Sequence, residues 1–210
     1  PYNYGEIWYF FEKQLKYPLT QIPENKLSEA LKSLNTLILP SGSHKLFKSK
    51  EKTKLLTEWI KSGGKIIMIG RSLDMLTENK IFEIQKKSNE FKKEPLISYS
   101  KSRRNRVSNN ITGSIYKVNL DSSHFLSYGL DLYYTLKLSG KSYNFLEKGY
   151  NAGYLSENAK PSSGFVGSNV KNIQKNSLIF GEQKLGKGSV IYFIDNPLFR
   201  GFWHSGKILF

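Results

Sequence analysis

The side chains best suited to acid-base or metal chemistry in this chain are its three histidines, His44, His124 and His204. They lie far apart, in the stretches HKLF, HFLS and HSGK. A catalytic zinc site needs about three protein ligands, usually with two of them close together on one element. None of these histidines has such a neighbour in the sequence, and the chain has no cysteine. We therefore predict no metal site, and thiol nucleophiles and disulfides are excluded.

A second candidate for chemistry is the turn Gly70-Arg71-Ser72, which follows an apolar run. Ser72 has a hydroxyl that could attack a substrate, but a serine in a first helical turn more often caps the helix by accepting a bond from backbone N–H groups. Arg71 could hold an anion beside a helix N-terminus, although such an arginine more often pairs with a carboxylate. We favour the capping role for Ser72.

Apolar runs that alternate with amphipathic segments position this turn. Runs that are apolar throughout suit strands buried on both faces of a parallel sheet. Their alternation with helical segments and short Gly/Pro turns predicts an α/β fold with a doubly wound, mostly parallel sheet. Leu37, Ile38, Ile66, Ile67, Ile69, Val190, Ile191 and Phe193 should be buried in its central strands. The predicted strands are 19–22, 36–39, 65–69, 177–182 and 189–194, and the predicted helices are 5–15, 27–34, 50–62, 73–87 and 198–210.

The middle of the chain has a different character. Residues 98–110, SYSKSRRNRVSNN, are polar and basic, and we expect an exposed loop there. The stretches 113–120, 132–138 and 143–146 look strand-like, so a β-rich segment is added to the sheet. No internal repeat or low-complexity segment interrupts residues 1–210, which we interpret as one domain.

Charge and composition limit the function classes. The net charge is +15, from 32 Lys and Arg against 17 Asp and Glu. The excess is mostly lysine, a bias that an AT-rich genome produces without selection, whereas phosphate-binding proteins usually cluster arginine. We therefore expect no nucleic-acid partner. No apolar run is long enough to span a bilayer. The chain begins with Pro1 rather than Met, and we interpret it as a fragment of a longer protein.

Four stretches carry a resemblance to a known family: GEIWYFFEKQLKYPLT, TLILPSG, WIKSGGKIIMIGRS and GKGSVIYFIDNPLFRGFWHSGKILF. Together they resemble the class I glutamine-amidotransferase-like domain that follows the peptidase domain in bacterial zinc carboxypeptidases of the A/T-like type. The resemblance spans nearly the whole chain, and DNPLFRGFW followed by GKILF is its most specific part. It implies a flavodoxin-like sheet whose first strand is missing from this fragment. It also implies a secreted or periplasmic protein.

The same resemblance implies that the domain is not catalytic. The nucleophile position of an amidotransferase falls on Gly70, which has no side chain with which to start covalent chemistry. A vestigial pocket is expected at the C-terminal edge of the sheet, where open α/β sheets bind ligands. Zinc, and the peptidase chemistry, would belong to the upstream domain, and no cofactor is expected in this chain. The residues expected to converge on the pocket are Ser41, Gly42, Gly70, Arg71, Ser72 and His124.

Two functions stay open. In the first, the chain is an accessory domain that packs on the upstream peptidase domain of the same protein or helps to position peptide substrate. The aromatic segments 8–11 and 199–203 could form such a contact, although aromatic residues at helical spacing usually belong to a core. In the second, the vestigial pocket binds a small ligand. A third possibility, a hydrolase that uses Ser72, is the weakest.

Overall fold

A computed structural model of the chain describes residues 2–44, 46, 49–88, 96–201 and 203–210. Within these ranges eight strands form one sheet. The strands are β1 (Thr36–Leu39), β2 (Lys65–Ile69), β3 (Ile111–Leu120), β4 (Tyr133–Lys137), β5 (Tyr150–Leu155), β6 (Pro161–Val166), β7 (Ser177–Leu185) and β8 (Gly188–Phe193). The α-helices described are α1 (Tyr2–Trp8), α2 (Leu27–Ala30), α3 (Lys50–Lys61), α4 (Tyr99–Ser108) and α5 (His204–Leu209). None of the described helices combines the length and the apolar character that crossing a membrane requires.

The sheet is mixed and curled, and the predicted doubly wound parallel sheet is wrong. Its order is β1-β2-β8-β7-β5-β3-β4, with β6 paired to β3 beside this path. Only the β1–β2 and β2–β8 pairs are parallel, and every other pair is antiparallel. The physical reason lies after β2, where a crossover helix was expected over residues 73–87. That segment instead forms a short 3-10 helix, Gly70–Met75, followed by turns.

The three parallel strands lie where their apolar runs predict them. Six of the eight side chains expected to be buried there are buried, among them Ile66, Val190 and Phe193, whereas Ile38 and Ile67 are half-buried. Because apolar side chains project from both faces of these strands, a core forms on each side. Helix α3 covers one face through Leu56 and Ile60. On the other face the two ends of the chain meet. Ile7 on α1, Phe10 on the π-helical segment Tyr9–Leu15 that follows it, and Leu209 on α5 contribute to this core.

Four local predictions need correction. Residues 143–146 form no strand, since Tyr143 makes only an isolated bridge with Lys86. Residues 99–108 form helix α4 rather than a loop, although none of its residues is buried. Residues 19–22 form no strand. The C-terminal helix is shorter than predicted, since a 3-10 turn, Phe199–Gly201, precedes α5. The aromatic segment 199–203 includes Phe202, which lies outside the described residues.

The curl of the sheet brings β4, at one end of the strand order, next to the chain just after β8. Thr135 and Lys137 on β4 both bond Asp195, and the indole N–H of Trp203 donates to the carbonyl of Tyr134 at 3.1 Å. We call these five residues the seam. Hydrogen bonds made by side chains thus join β4 to the segment after β8, although the two strands are far apart in the sheet order. A cleft opens at the carboxyl ends of β1, β2 and β8.

Candidate functional site

The turn after β2 has the geometry of a nucleophile elbow without a nucleophile. Gly70 follows the strand directly and has a φ of +56°, which favours glycine. A Cβ atom at this position would lie 2.8 Å from the hydroxyl oxygen of Ser41. A strained strand-to-helix turn is how some hydrolases present a catalytic side chain. Here the space that such a side chain would enter is already occupied by Ser41.

Ser41 fixes this turn to the neighbouring loop. Its hydroxyl oxygen accepts a hydrogen bond from the backbone N–H of Arg71 at 3.1 Å. Its carbonyl oxygen accepts one from the side-chain amide of Asn3, on helix α1, at 2.9 Å. The loops after β1 and β2 and the first helix therefore hold one another in place.

Ser72 is neither a nucleophile nor a helix cap. Its side chain is fully buried, and its hydroxyl donates to the carbonyl oxygen of Ile69 at 2.9 Å. Ser72 lies inside the 3-10 helix Gly70–Met75, and the N-cap of that helix is Ile69, with no side-chain capping bond. The predicted capping role is therefore wrong, and a buried hydroxyl committed to a backbone carbonyl is not accessible to a substrate.

A cleft of ≈ 500 Å³ lies beside this turn. It contains three of the predicted site residues: Ser41, Gly70 and Arg71. Gly42 is adjacent to Ser41 but does not line the cleft, and neither Ser72 nor His124 does. The full lining is Asn3, Ser41, Gly70, Arg71, Leu136, Leu138, Ser139, Lys141, Tyr143, Ile194, Asp195, Asn196 and Phe199.

Two ion pairs border the cleft. Lys141 pairs with Asp74, whose carboxylate also accepts a hydrogen bond from the hydroxyl of Tyr143 at 3.0 Å. Burial, and next the charge of Asp74, raise the pKa of Tyr143 above its ordinary value. At the seam, Lys137 lies 3.2 Å from Asp195. These charges neutralise each other, so they add little net attraction for a ligand.

Arg71 differs from these charged groups. Its side chain is exposed at the cleft, and within the described residues it forms no ion pair. The pairing with a nearby carboxylate that the sequence also allowed is not seen among the described residues. A guanidinium without a carboxylate partner can accept a bidentate anion such as a carboxylate or a phosphate.

His124 does not line the cleft, so the structure does not bring this residue together with Ser41, Gly70 and Arg71. Its Nδ1 accepts a hydrogen bond from the N–H of Leu126, and its Nε2 lies 3.3 Å from a carboxylate oxygen of Glu182. The ring packs near Phe125 and Tyr150, with centroids 4.7 Å and 5.3 Å away. His124 belongs to the loop after β3 and Glu182 to β7, so this pair lies on the antiparallel part of the sheet.

The other two histidines are not brought together either. His44 bonds the carbonyl oxygen of Pro40 at 2.8 Å, and its Nδ1 lies 3.7 Å from Glu24. His204 begins helix α5. In the part of the chain that the structure describes, no group of three or more His, Cys, Asp or Glu side chains could hold a metal ion.

Sequence reasoning missed the seam and the Asp74–Lys141 pair. One signal was available at Lys137. In the run Tyr133–Lys137, alternate positions are buried, and Lys137 falls on the inward side with Tyr133 and Thr135. A lysine at an inward position needs a buried acid, but the sequence alone does not say that Asp195 supplies it.

Comparison with known proteins identifies solved structures with a similar fold and no matching family. No protein-family model and no curated protein matches the chain. Among solved structures it matches a ThuA-like protein of Bacteroides uniformis ATCC 8492, with a TM-score of 0.54 and 13% identity, over 99% of this chain and 82% of that one. It also matches a ThuA-like protein of Parabacteroides merdae ATCC 43184, with a TM-score of 0.53 and 10% identity, over 91% of this chain and 72% of that one. At these identities the likeness shows the fold alone, a ThuA-like mixed sheet.

Longer glycosidases also match. The chain spans 22% of the length of Gan42B, a GH42 β-galactosidase from G. stearothermophilus, at 13% identity over 91% of this chain. The TM-score of 0.46 is too low to support an argument about fold or function. The chain thus spans about a fifth of the length of the glycosidases that it matches.

Proposed function

We propose that this chain is a non-catalytic accessory domain of a secreted or periplasmic bacterial zinc carboxypeptidase. The observation that carries the non-catalytic part is Gly70, which stands in an elbow-like turn with a positive φ and no side chain. Covalent catalysis needs an activated side chain at such a turn. The four resembling stretches support the link to the peptidase family. Zinc belongs to the upstream peptidase domain, and this chain needs no cofactor.

The accessory role rests on contact with that peptidase domain, and the aromatic end segments are the candidate surface. Their core-facing members are used internally, since Phe10 is buried and its ring lies 6.2 Å from that of Phe210. Tyr9, 48% exposed, borders a second cleft with Phe199 at the same end of the molecule. An exposed aromatic beside a cleft suits a domain interface.

The gene sequence upstream of Pro1 gives the direct test. A His-x-x-Glu pair followed by a later histidine is expected there, because these are the zinc ligands of a carboxypeptidase. An upstream sequence that encodes another kind of domain would overturn the proposal.

If the motif is present, this chain and the peptidase domain should elute together in size-exclusion chromatography when they are expressed as separate polypeptides. Separate elution at micromolar concentrations would contradict the docking role.

A second candidate function is the binding of a small anion in the cleft beside Gly70. One observation favours it: Arg71 is exposed at the cleft and forms no ion pair within the described residues. Thermal unfolding in the presence of millimolar phosphate, acetate or a C-terminal dipeptide tests it. A ligand should raise the melting temperature of the natural chain and not that of Arg71→Gln. Equal shifts in both proteins would place the anion elsewhere.

A further inference from the structure

A groove with a basic lining lies between helix α4 and the end of strand β6. Its volume is ≈ 760 Å³. The helix contributes positions i, i+3, i+4, i+7 and i+8, which share one face. We call it the basic groove, and its lining is Ser100, Arg103, Arg104, Val107, Ser108, Phe165, Val166, Ser168 and Lys171.

The positive charge of this groove stands out from the general lysine excess of the chain. Helix α4 carries Lys101, Arg103, Arg104 and Arg106 and no acidic residue, so three of the chain's five arginines fall within ten residues. Within the described residues, no ion pair involves Arg103, Arg104 or Lys171, and all three are exposed. Unlike Lys137 and Lys141 at the cleft beside Gly70, which are paired with carboxylates, these cations keep their capacity to bind an anion.

The groove is held in shape by backbone contacts. The carbonyl oxygen of Ser108, at the end of α4, accepts a hydrogen bond from the N–H of Asn169 at 3.0 Å, and that of Asn110 accepts one from Gly167 at 2.9 Å. A Cβ atom at Gly167 would lie 2.3 Å from the Ser108 oxygen, so only glycine permits this approach. The spacing between the helix and β6 is thus fixed.

Strand β6 supplies the second recognition element. Among the described strands it pairs only with β3. Residues 162–165 are exposed, and the ring of Phe165 is 47% exposed beside the groove. The outer edge of such a strand offers N–H and C=O groups that an extended peptide can pair with.

We propose that the basic groove binds an extended acidic peptide segment. Its carboxylates pair with Arg103, Arg104 and Lys171, whose guanidinium forks and ammonium group match carboxylate oxygens. Its main chain lies along the outer edge of β6, with an apolar side chain on Phe165. This binding does not depend on the accessory role proposed above.

The same observations disfavour other polyanions. A protein that holds nucleic acid through its phosphates makes about 6–10 phosphate contacts and adds stacking aromatics. Three cations and one aromatic ring line this groove. A helix that lies on a membrane surface needs an apolar face, whereas the exposed residues of α4 outside the groove include Lys101 and Arg106. Neither a nucleic acid nor a membrane surface would pair with the backbone edge of β6.

Fluorescence anisotropy with a labelled peptide tests the proposal on the whole chain. The probes are a ten-residue peptide that alternates Glu and Val, its Gln and Val counterpart, and a single-stranded DNA decamer. In 50 mM salt we expect the acidic peptide to bind at least tenfold more tightly than either of the other two. Equal or tighter binding of the DNA, or binding of the neutral peptide, would overturn the proposal.

Two double variants on one helix localise the contact. Arg103→Gln with Arg104→Gln removes two groove cations and should weaken acidic-peptide binding at least tenfold. Lys101→Gln with Arg106→Gln removes the same charge outside the groove and should weaken it less than threefold. Glutamine keeps helix propensity, and circular dichroism checks that both variants fold. Equal losses would show a general charge effect and refute the site.

An acidic peptide N-methylated at alternate residues tests the backbone pairing with β6. It should bind at least tenfold more weakly than the unmethylated peptide, and unchanged binding would overturn the alignment along β6.

Discussion

The buried ion pair of the seam should respond strongly to the removal of one partner. The side chain of Lys137 is 1% exposed and that of Asp195 is 13% exposed, and the ammonium lies 3.2 Å from a carboxylate oxygen. Thr135 donates a further hydrogen bond to the same carboxylate at 2.8 Å. Lys137→Met removes the cation but keeps most of the volume of the stem. It leaves Asp195 with the hydroxyl of Thr135 and with partial access to water.

The expected loss follows from this geometry. Breaking a buried pair by removing one partner typically costs about 3–5 kcal/mol. Because Asp195 is partly exposed, we expect Lys137→Met to lie at the lower end of that range. Asp195→Asn leaves the fully buried ammonium of Lys137 without a counter-charge and should lie at the upper end. The double variant carries no unpaired charge, so we expect it to be more stable than the sum of the two single losses predicts, by about 2–3 kcal/mol.

Urea denaturation followed by tryptophan fluorescence measures these differences, and Trp203 reports on the seam itself. Lys54→Met is the matched control, since Lys54 and Glu58 form an ion pair on the surface of α3 at 3.9 Å, with side chains 78% and 62% exposed. Its loss should cost no more than about 0.5 kcal/mol. Additive losses in the double variant, or a Lys137→Met effect as small as the control, would refute the seam as a coupled unit.

Four further results are expected. Gly70→Ala should lower the free energy of unfolding by about 1–3 kcal/mol, because Gly70 has a positive φ and a Cβ there would clash with Ser41. The control Gly5→Ala, in open space on α1, should raise it by about 0.5–1 kcal/mol. Similar urea midpoints for the two variants would contradict this. The purified chain should hydrolyse neither glutamine nor a nitrophenyl ester, and reproducible turnover would overturn the non-catalytic role. Burial raises the pKa of Tyr116 to about 12, so the contribution of Tyr116 to folding stability should be full below about pH 10 and fall as pH rises from there towards 12, by up to about 1.4 kcal/mol per pH unit. Because burial also raises the pKa of Tyr133, Tyr143 and Tyr192, Tyr116→Phe should make the alkaline decline shallower without removing it. Trp203→Phe should cost about 1 kcal/mol, the value of its bond to the backbone, and a loss above 3 kcal/mol in thermal unfolding would indicate a larger role.

The parallel part of the sheet could be predicted because its signal is local. Runs such as Ile66 to Ile69 are apolar throughout, and such a run has no stable place except a strand covered on both faces. Helix α3 was equally clear, since its apolar residues recur at helical spacing and Ser49 caps its first turn. In these segments local preference and tertiary environment agree.

The rest of the fold depends on which strands pair, and a strand-like run does not encode its neighbour. The segment 73–87 has enough apolar residues for a helix, yet it forms successive turns. From these turns Leu73, Leu76 and Phe82 are buried in the core on the α3 side of the sheet. Residues 98–110 show the opposite error. Their polar composition predicted a loop, but Arg and Lys favour helices almost as strongly as alanine does, so α4 forms without an apolar stripe.

The candidate site was predictable only where its parts follow neighbouring parallel strands. Ser41 follows β1 and Gly70 follows β2, and the parallel pairing of these strands brings the two turns to one edge. His124 follows β3, which belongs to the antiparallel part of the sheet, so the rule that placed Ser41 beside Gly70 does not apply to it. The resemblance, rather than a rule of strand direction, was what placed His124 near the pocket, and the structure does not bring it to the cleft.

The curl of the sheet explains why the cleft has its present lining. In an open sheet, β4 would lie four strands away from β8 in the strand order and could not reach the turn after β2. The seam brings β4 back, and Leu136, Leu138 and Lys141 then form the wall opposite Arg71. Because that wall depends on Lys137 and Asp195, loss of the ion pair should open the cleft as well as destabilise the fold. Anion binding at Arg71 and the stability of the seam are therefore expected to fail together in Lys137→Met, whereas Arg71→Gln should lose the first and keep the second.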